Sequence, residues 1–335
     1  MPKRTKLPSQ NYVPFAALLA VAVLWGVALP VIKLTTQYVT TFTFLYYRLL
    51  IVGIILLPFT IWWLKKHPVH KRDWGNFFLL GLFSQTSLAI IFFGIRYTTA
   101  LDGAIIGILT PLLAIYAGHH FFNEKVNGWV KSGILIATIG MLFVVVGPAL
   151  EATGNGGAAA WQRVMGNLLI LAYNVVFMVY IVWSKSVAPG THNVSRVLTD
   201  TLKWVHLKPM RRHYPPLLIA ALTFYVGLAT FIPLYALEVV GVFGPPMETN
   251  FFKLSAIPVL GILYMALLSS IVAYFAFQWA LSKVQVEDTA IFSYLTPVFT
   301  FPAAFLLLGE VPGQEIIVGS AIIAVGVIIA ETKKT

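Results

Sequence analysis

The chain has 335 residues, of which 59% are hydrophobic and only 10% are charged, and its mean hydropathy is +0.83. A soluble domain carries about 25% charged residues. Here apolar stretches of roughly 20 residues, long enough to cross a bilayer as helices, recur along the whole length. This composition excludes a soluble globular protein and predicts an all-α integral membrane protein. The absence of cysteine excludes disulfides, thiolate chemistry and cysteine metal sites.

In chain order the apolar stretches predict ten transmembrane helices. They cover residues 12–32, 42–64, 74–95, 101–122, 128–147, 165–184, 216–239, 258–281, 288–308 and 314–331. The first stretch is too long for a signal peptide and lacks a small-residue cleavage site, so we expect a permanent span. Two predicted connections are long, the Gly/Ala-rich 148–164 and the basic 185–215.

The distribution of Lys and Arg predicts the orientation of these helices. Placing the N-terminus in the cytoplasm puts 18 of the 23 basic residues on the cytoplasmic side and four outside, where the positive-inside rule disfavours them. We therefore expect a multi-pass protein of a bacterial-type cytoplasmic (inner) membrane with both termini cytoplasmic. The same bias explains the net charge of +11 without nucleic acid. The 185–215 segment is predicted to be a solvated loop near anionic headgroups.

Residues 81–146 and 267–332 are two copies of one pattern at a fixed offset of 186. Leu109-Thr110-Pro111 recurs as Leu295-Thr296-Pro297. Four further pairs match at the same offset: Asp102 and Asp288, Glu124 and Glu310, Gly133 and Gly319, Gly140 and Gly326. Because each copy lies in a set of five spans, the second must enter the membrane from the opposite side. We predict two inverted five-helix repeats, residues 1–150 and 165–335, an arrangement typical of secondary transporters.

The duplicated prolines are candidate hinges. Pro111 and Pro297 lie about ten residues into their helices, near mid-membrane at about 1.5 Å per residue. Each proline lacks a backbone donor and frees the carbonyl four residues earlier, which Thr110 or Thr296 is expected to help satisfy. The duplication favours a hinge in each repeat, and the alternative is a packing kink.

Polar residues within the spans predict a mildly polar, aromatic-lined cavity between helices 1, 3, 4, 6, 8 and 9. Such residues are costly in lipid unless they face protein or water. The candidate substrate-binding residues are Gln85, Asn174, Tyr274, Gln278, Ser293 and Tyr294. A cavity of this kind suits small amphipathic metabolites. The alternative for each residue is interhelical hydrogen bonding.

Charged residues within or beside the spans are few. Arg48 is the only basic residue inside an otherwise apolar span, and it could attract a substrate carboxylate, extend to the interface or pair with a carbonyl. We expect a structural role for it. Asp102 is predicted to stabilise the start of the fourth span and Glu310 that of the tenth. No acidic residue or lysine is predicted near mid-membrane, which favours facilitated or weakly coupled transport.

Several short motifs resemble the drug/metabolite transporter superfamily, EamA type. They are Leu24-Trp25-Gly26, Ile32-Lys33, Tyr47-Arg48-Leu49, Arg72-Asp73-Trp74, Ala104 through Pro111, and Gly309-Glu310. The resemblance covers almost the whole chain and implies a ten-helix exporter-like fold, alternating access, a pocket between the repeats and metabolite substrates such as amino acids. It also favours a substrate-stacking role for Trp25. Asn123-Glu124, where Gly-Glu is usual, and the long 185–215 loop depart from the pattern and leave the substrate open.

We therefore predict a secondary transporter, an exporter or facilitator, of small amphipathic metabolites such as amino acids. We expect a monomer in the lipid bilayer with a small-molecule substrate, without cofactor, metal or nucleic acid. The alternative is a channel or a lipid-flipping protein on the same fold. An intramembrane enzyme is disfavoured because the sequence has no Gly-x-Ser-x-Gly elbow, no His-Glu-x-x-His motif and no cysteine.

Overall fold

The computed structural model describes residues 12–122, 126–151, 157–187, 209–244, 247–281 and 286–332. Within these ranges the chain forms ten long helices and no strand. They are α1 (Val13–Thr35), α2 (Thr41–Lys66), α3 (Lys71–Tyr97), α4 (Ala100–Phe122), α5 (Gly128–Glu151), α6 (Gly157–Val187), α7 (Pro216–Val239), α8 (Ala256–Leu263, Tyr264–Val272 and Ala273–Leu281), α9 (Val286–Leu308) and α10 (Gln314–Thr332). The first eight contain segments long and apolar enough to cross a membrane, and α9 and α10 contain shorter apolar stretches. The predicted all-α membrane fold is confirmed.

The predicted long connection at 148–164 is wrong. Helix α5 continues to Glu151 and α6 begins at Gly157, so most of this segment is helical. A hydropathy pattern detects only the apolar part of a helix, which lies in lipid. The alanines at the start of α6 favour a helix in water as well. Of the predicted 185–215 loop, residues 188–208 lie outside the described ranges.

Contacts between distant residues show that successive helices alternate in direction. Lys33 at the end of α1 meets Glu310 in the α9–α10 connection, and Glu238 near the end of α7 bonds to Thr43 at the start of α2. Odd-numbered helices therefore end where even-numbered helices begin. This end of the bundle is hereafter the Lys33 end, and the opposite one the Lys66 end. Because α1 and α6 run in opposite directions, the two halves are inverted.

Helix packing repeats about a pseudo-two-fold axis. Helix α1 packs on α9 as α6 packs on α4, and α1 packs on α8 as α6 packs on α3. In the pairs α2–α7 and α5–α10, each helix packs across the axis on its own counterpart in the other repeat. This pattern confirms two inverted five-helix repeats.

The α5–α10 pair is held by the duplicated glycines. A Cβ added to Gly133 would lie 2.5 Å from the carbonyl oxygen of Gly326, and one added to Gly326 would lie 2.6 Å from that of Gly133. A Cβ on Gly140 would lie 2.9 Å from the carbonyl oxygen of Gly319. Lipid provides no hydrophobic drive for helix association, so this close backbone approach supplies the packing contacts.

Helices α3 and α8 each contain a π-helical segment, at Leu82–Thr86 and Tyr264–Val272. The two segments overlap at the repeat offset of 186. Such segments are rare and often occur at functional sites, since the altered hydrogen-bond ladder redirects side chains and backbone carbonyls. Both lie in the middle of their helices, where a site between the two repeats is expected.

Candidate substrate-binding site

The π-helical segment of α8 bonds to both α1 and α2. Ser270 Oγ donates to the carbonyl oxygen of Met265 at 2.6 Å and accepts from Arg48 Nε at 3.0 Å. The carbonyl oxygen of Ser269 accepts from Nε1 of Trp25 at 3.2 Å. The irregular turn therefore supplies the polar partners of two intramembrane side chains that the sequence places in the other repeat.

Trp25 is also held by aromatic packing. Its ring centroid lies 5.2 Å from that of Phe277, and beside it Tyr264 Oη donates to the carbonyl oxygen of Leu24 at 2.7 Å. These contacts dock α1 on α8. The indole N–H is occupied by Ser269, while the ring remains half-buried. A substrate-stacking role for the ring stays a prediction.

Arg48 is deeply buried, with a residue exposure of 6%. It does not extend to the interface, and its observed partner is the hydroxyl of Ser270 rather than a carbonyl. Within the described part of the chain, its Nη1 atom has no hydrogen-bond partner. The phenol of Tyr173 lies in the neighbourhood of the guanidinium. A buried cation is thus present with part of its donor capacity unused.

One face of α6 presents an aromatic row, defined as Tyr173, Phe177 and Tyr180. Their spacing places them on one helix face, and successive ring centroids lie 5.9 and 5.3 Å apart. Tyr180 Oη lies 3.4 Å from Tyr274 Oη of α8, and the Tyr274 ring packs on Phe224. All three row residues are half-buried. They join α6, α7 and α8 around one interior region.

The remaining predicted pocket residues divide into two groups. Gln85, in the π-helical segment of α3, is 5% exposed and packs on Gly227, and its Oε1 has no partner among the described residues. Tyr294 is half-buried in α9. Gln278 and Ser293 belong to α8 and α9, but their side chains lie outside the described part of the structure.

Asn174 connects α6 to the interruption of α4. Its Nδ2 donates to the carbonyl oxygen of Ile106 at 3.2 Å, and its Oδ1 accepts from Thr110 Oγ1 at 3.0 Å. The α-helical pattern of α4 breaks at Ile108, three residues before Pro111, whereas α9 is continuous through Pro297. The expectation that Thr110 satisfies the carbonyl freed by proline is wrong, because its hydroxyl bonds to Asn174. The hinge role of the two prolines stays a prediction.

Gly107 faces open space at this interruption. A Cβ added there would meet no atom within 4 Å. Gly103, one turn earlier on the same helix face, packs against Leu29, Ile95 and Ile170 of α1, α3 and α6. Gly107 therefore faces the bundle interior, and the sequence signal for this was its position four residues before the duplicated proline.

The Lys33 end is bridged by an ionic network between the repeats. Nζ of Lys33 lies 2.6 Å from both Glu310 Oε1 and the carbonyl oxygen of Thr98. Glu310 Oε2 accepts from the backbone N–H groups of Ala100 and Leu101 at 2.8 and 3.3 Å. Glu310 thus caps α4, and the prediction that it serves α10 is wrong. Sequence reasoning missed these partners because 277 positions separate Lys33 from Glu310.

Asp102 belongs to a second charged cluster at the same end. It is fully buried and accepts two bonds from Arg163, at 2.6 Å from Nε and 3.0 Å from Nη2. The same Nη2 atom lies 2.8 Å from Oε1 of Glu315. Arg163 therefore ties the starts of α4, α6 and α10 together. Asp102 lies at the start of α4 as predicted, but its main partner comes from the other repeat.

A shallow vestibule of about 230 Å³ opens beside Lys33. It is lined by Lys33, Thr36, Gln37, Arg96 and Met247. Of its two cations, Lys33 is paired with Glu310, so Arg96 is the residue that would attract anionic solutes. Within the described residues, no group of three or more His, Asp or Glu side chains is placed to hold a metal ion.

The family of this fold follows from comparison with known proteins. The model of the EamA-like transporter family matches residues 14–146 and 197–332. The chain belongs to the EamA-like transporter family. The first matched segment covers α1 to most of α5, and the second covers α7 to α10. This EamA-like protein is therefore a multi-pass membrane transporter.

Relatives of this EamA-like protein span nearly its whole length. An uncharacterized transporter of Archaeoglobus fulgidus is 24% identical over 95% of this chain and 97% of its own. A WAT1-related chloroplastic protein of Arabidopsis thaliana is 21% identical over 95% of this chain and 69% of its own. The uncharacterized transporter YetK of Bacillus subtilis is 24% identical over 96% and 87%. A solved crystal structure at 15% identity shares the fold, with a TM-score of 0.57 and coverage of 95% and 97%.

Proposed function

We propose that this EamA-like protein is a secondary transporter of small amphipathic metabolites such as amino acids, working by alternating access between its two inverted repeats. The observation that carries the proposal is the polar interior where the π-helical segments meet the other repeat. There Nη1 of Arg48 and Oε1 of Gln85 have no hydrogen-bond partner among the described residues. Buried polar atoms without partners are costly and mark a place where a solute completes the bonding.

Alternating access is supported by the bonds at the Lys33 end. The contacts of Lys33 and Glu310 join α1, α4 and the α9–α10 connection, so they hold this end closed across the repeat boundary. Rocking of one repeat against the other would break these bonds. The interruption of α4 at Ile108 provides a bending point on the same path.

The orientation and direction of transport are part of the proposal. We place both termini in the cytoplasm of a cell bounded by a cytoplasmic (inner) membrane, because 18 of 23 basic residues then lie inside. The Lys33 end then faces outward. In this orientation the protein exports or facilitates the passage of metabolites. We propose a transporter rather than an enzyme, acting as a monomer.

The experiment is counterflow with pure protein in liposomes. A panel of labelled metabolites, led by neutral and aromatic amino acids, is offered to vesicles loaded with the unlabelled compound, with and without a pH gradient. Saturable exchange that does not need the gradient is the expected result. Single-channel currents, or scrambling of labelled lipid without metabolite exchange, would instead establish the channel or lipid-flipping alternative.

Two substitutions test the predicted site and hinge. Gln278→Leu and Pro297→Ala are expected to change the exchange rate while leaving the protein folded and monodisperse in detergent. Leu306→Ala is the control, since this side chain is 79% exposed on α9 and faces lipid. Wild-type exchange in both variants would remove these two residues from the transport path.

A further inference from the structure

The partner of Arg48 lies further along its helix from the Lys33 end than Arg48 itself does. At about 1.5 Å per residue, Arg48 lies roughly 10 Å from the start of α2, whereas Ser270 lies roughly 20 Å from the start of α8. Both helices begin at the Lys33 end, so the Nε–Ser270 bond joins the first third of α2 to the middle of α8. A membrane arginine commonly extends to the nearer surface, whereas Arg48 is buried and bonds to Ser270.

This placement leaves the cation incompletely satisfied. A guanidinium carries five N–H donors, and here Nε bonds to one neutral hydroxyl while Nη1 has no partner in the described residues. An arginine at membrane depth is costly and is retained where it meets a counterion or a solute. The residue is 6% exposed, so bulk water does not supply the missing bonds.

The described carboxylates that could neutralise Arg48 are engaged elsewhere. Asp102 and Glu315 pair with Arg163, and Glu310 pairs with Lys33, all at the Lys33 end. The remaining buried carboxylates also have partners near the helix ends: Glu238 accepts from Thr43, and Asp73 accepts from Tyr214. The hydrogen-bond partner of Arg48, Ser270, is neutral, and so is the nearby phenol of Tyr173.

We propose that Arg48 is the anion subsite of the transport pathway and binds the carboxylate of the transported metabolite through its free guanidinium nitrogen. The apolar or aromatic body of the metabolite then lies against the aromatic row of α6. This inference rests on the proposed function and adds the substrate class, a monocarboxylate with an apolar body. Neutral and aromatic amino acids belong to this class, their ammonium group facing the aromatic rings.

The charge balance favours a carboxylate over a phosphate ester. One guanidinium neutralises one negative charge, and an arginine–carboxylate pair in a low-dielectric interior is strong and directional. A phosphate dianion would keep one uncompensated negative charge, because none of the hydrogen bonds among the described residues brings a second cation to Arg48. Arg96 lines the vestibule at the Lys33 end and would attract anions near that end of the pathway.

Competition against counterflow tests the substrate class. Labelled L-phenylalanine is exchanged by wild-type proteoliposomes in the presence of 3-phenylpropionate, phenethylamine or phenyl phosphate. We expect inhibition by 3-phenylpropionate at concentrations at least tenfold below those needed for the other two. Equal inhibition by phenethylamine would overturn the carboxylate subsite, and stronger inhibition by phenyl phosphate would assign the site to phosphate esters.

Binding without transport gives a second readout. Purified wild-type protein in detergent is heated with 3-phenylpropionate or 4-methylpentanoate, and a rise in Tm is expected for at least one acid but not for the matching amine. Arg48→Lys and Arg48→Gln are expected to abolish the shift, while Arg72→Gln, at an exposed arginine, preserves it. Ser270→Ala keeps the guanidinium and should retain the preference for acid over amine, which keeps the test decisive if Arg48→Gln does not fold.

The two hypotheses fail in different ways. If folded wild-type protein exchanges no metabolite yet is stabilised by the carboxylates through Arg48, the transport proposal fails and the anion subsite stands. If it exchanges metabolites but Arg48→Lys keeps the same rate and the same preference for acid over amine, the transporter stands and the subsite is wrong.

Discussion

Nζ of Lys33 lies 2.6 Å from Oε1 of Glu310, and the other carboxylate oxygen of Glu310 accepts from two backbone N–H groups at the start of α4. The first residue ends α1 of one repeat and the second follows α9 of the other. A single carboxylate therefore links three elements across the repeat boundary. Its bonds are partly buried. On the proposed alternating-access mechanism, their loss would shift the balance between closed and open states of this end.

Glu310→Gln is expected to open the Lys33 end. The substitution removes the ion pair and the carboxylate charge at the α4 N-terminus, worth about 1 kcal/mol together, or roughly a fivefold shift in population. Because the chain has no cysteine, Gly107→Cys supplies one interior reporter. We expect an impermeant maleimide added at the Lys33 end to label this cysteine several times faster in the Glu310→Gln background.

Lys253→Met is the matched control for this measurement, since it removes an exposed cation at the same end. It is expected to leave the labelling rate unchanged. Equal labelling rates in wild-type and Glu310→Gln backgrounds would show that the Lys33–Glu310 pair does not hold this end closed.

Arg163→Met should destabilise the protein more than Asp102→Asn. Removing the arginine leaves Asp102 and Glu315 as buried carboxylates without their cation, a loss of about 3–5 kcal/mol. Asp102→Asn removes one charge and keeps a hydrogen-bonding group, a loss of about 1.5–3 kcal/mol. Unfolding in a denaturing detergent, followed by size-exclusion chromatography, measures which of the two variants is the less stable.

The triple variant Arg163→Met, Asp102→Asn and Glu315→Gln provides the internal check. Neutralising both carboxylates removes the uncompensated charge, so this variant is expected to be more stable than Arg163→Met alone. If it is less stable, repulsion between the orphaned carboxylates is not what makes Arg163 necessary.

Gly326→Leu is expected to separate α5 from α10. The new side chain would meet the backbone nitrogen of Ala137 at 2.5 Å and the carbonyl oxygen of Gly133 at 2.6 Å. Backbone atoms cannot move aside as a flexible side chain does, so we expect a loss of about 3 kcal/mol or more, at or above the usual range for overpacking. Gly128→Leu is the control, because a Cβ there meets no atom within 4 Å. Similar Tm values for the two variants would contradict the close glycine contact.

Tyr214 is expected to anchor the segment before α7 in a pH-dependent way. Its hydroxyl donates to buried Asp73 at 2.7 Å, and burial raises the pKa of Tyr214 above its usual value of 10.0. A raised pKa in the folded state means that the stabilisation is present below about pH 10 and is lost as the pH rises through the folded-state pKa. The wild type should exceed Tyr214→Phe in thermal stability at pH 8, and the difference should shrink above pH 10.

Tryptic cleavage after Arg211 gives a local measure of the same anchor. The backbone N–H of Arg211 lies 3.2 Å from Asp73 Oδ2, next to the Tyr214 bond, while its side chain is exposed. Cleavage at pH 8 is expected to be a few times faster in Tyr214→Phe. An unchanged rate would mean that the backbone bonds alone hold the segment.

The sequence by itself determined the helices, the duplication and the inversion. Each depends on local or periodic information, namely a run of apolar residues or the constant offset between Pro111 and Pro297. Helix ends beyond the bilayer, such as those at Glu151 and Gly157, escaped prediction because water tolerates polar residues in either conformation. The roles of Gln85 and Asn174 as buried polar residues were anticipated, but their partners were not.

Only the tertiary structure decided which distant residues meet. The Arg48–Ser270 bond depends on a π-helical register in α8, and the Lys33–Glu310 pair depends on how two repeats dock over 277 intervening positions. Hydropathy places a residue at a depth in the membrane but not at an angle around its helix axis. Side-chain partners are set by that angle and by the packing of all ten helices together, because a polar group in lipid bonds to whatever lies within about 3 Å of it.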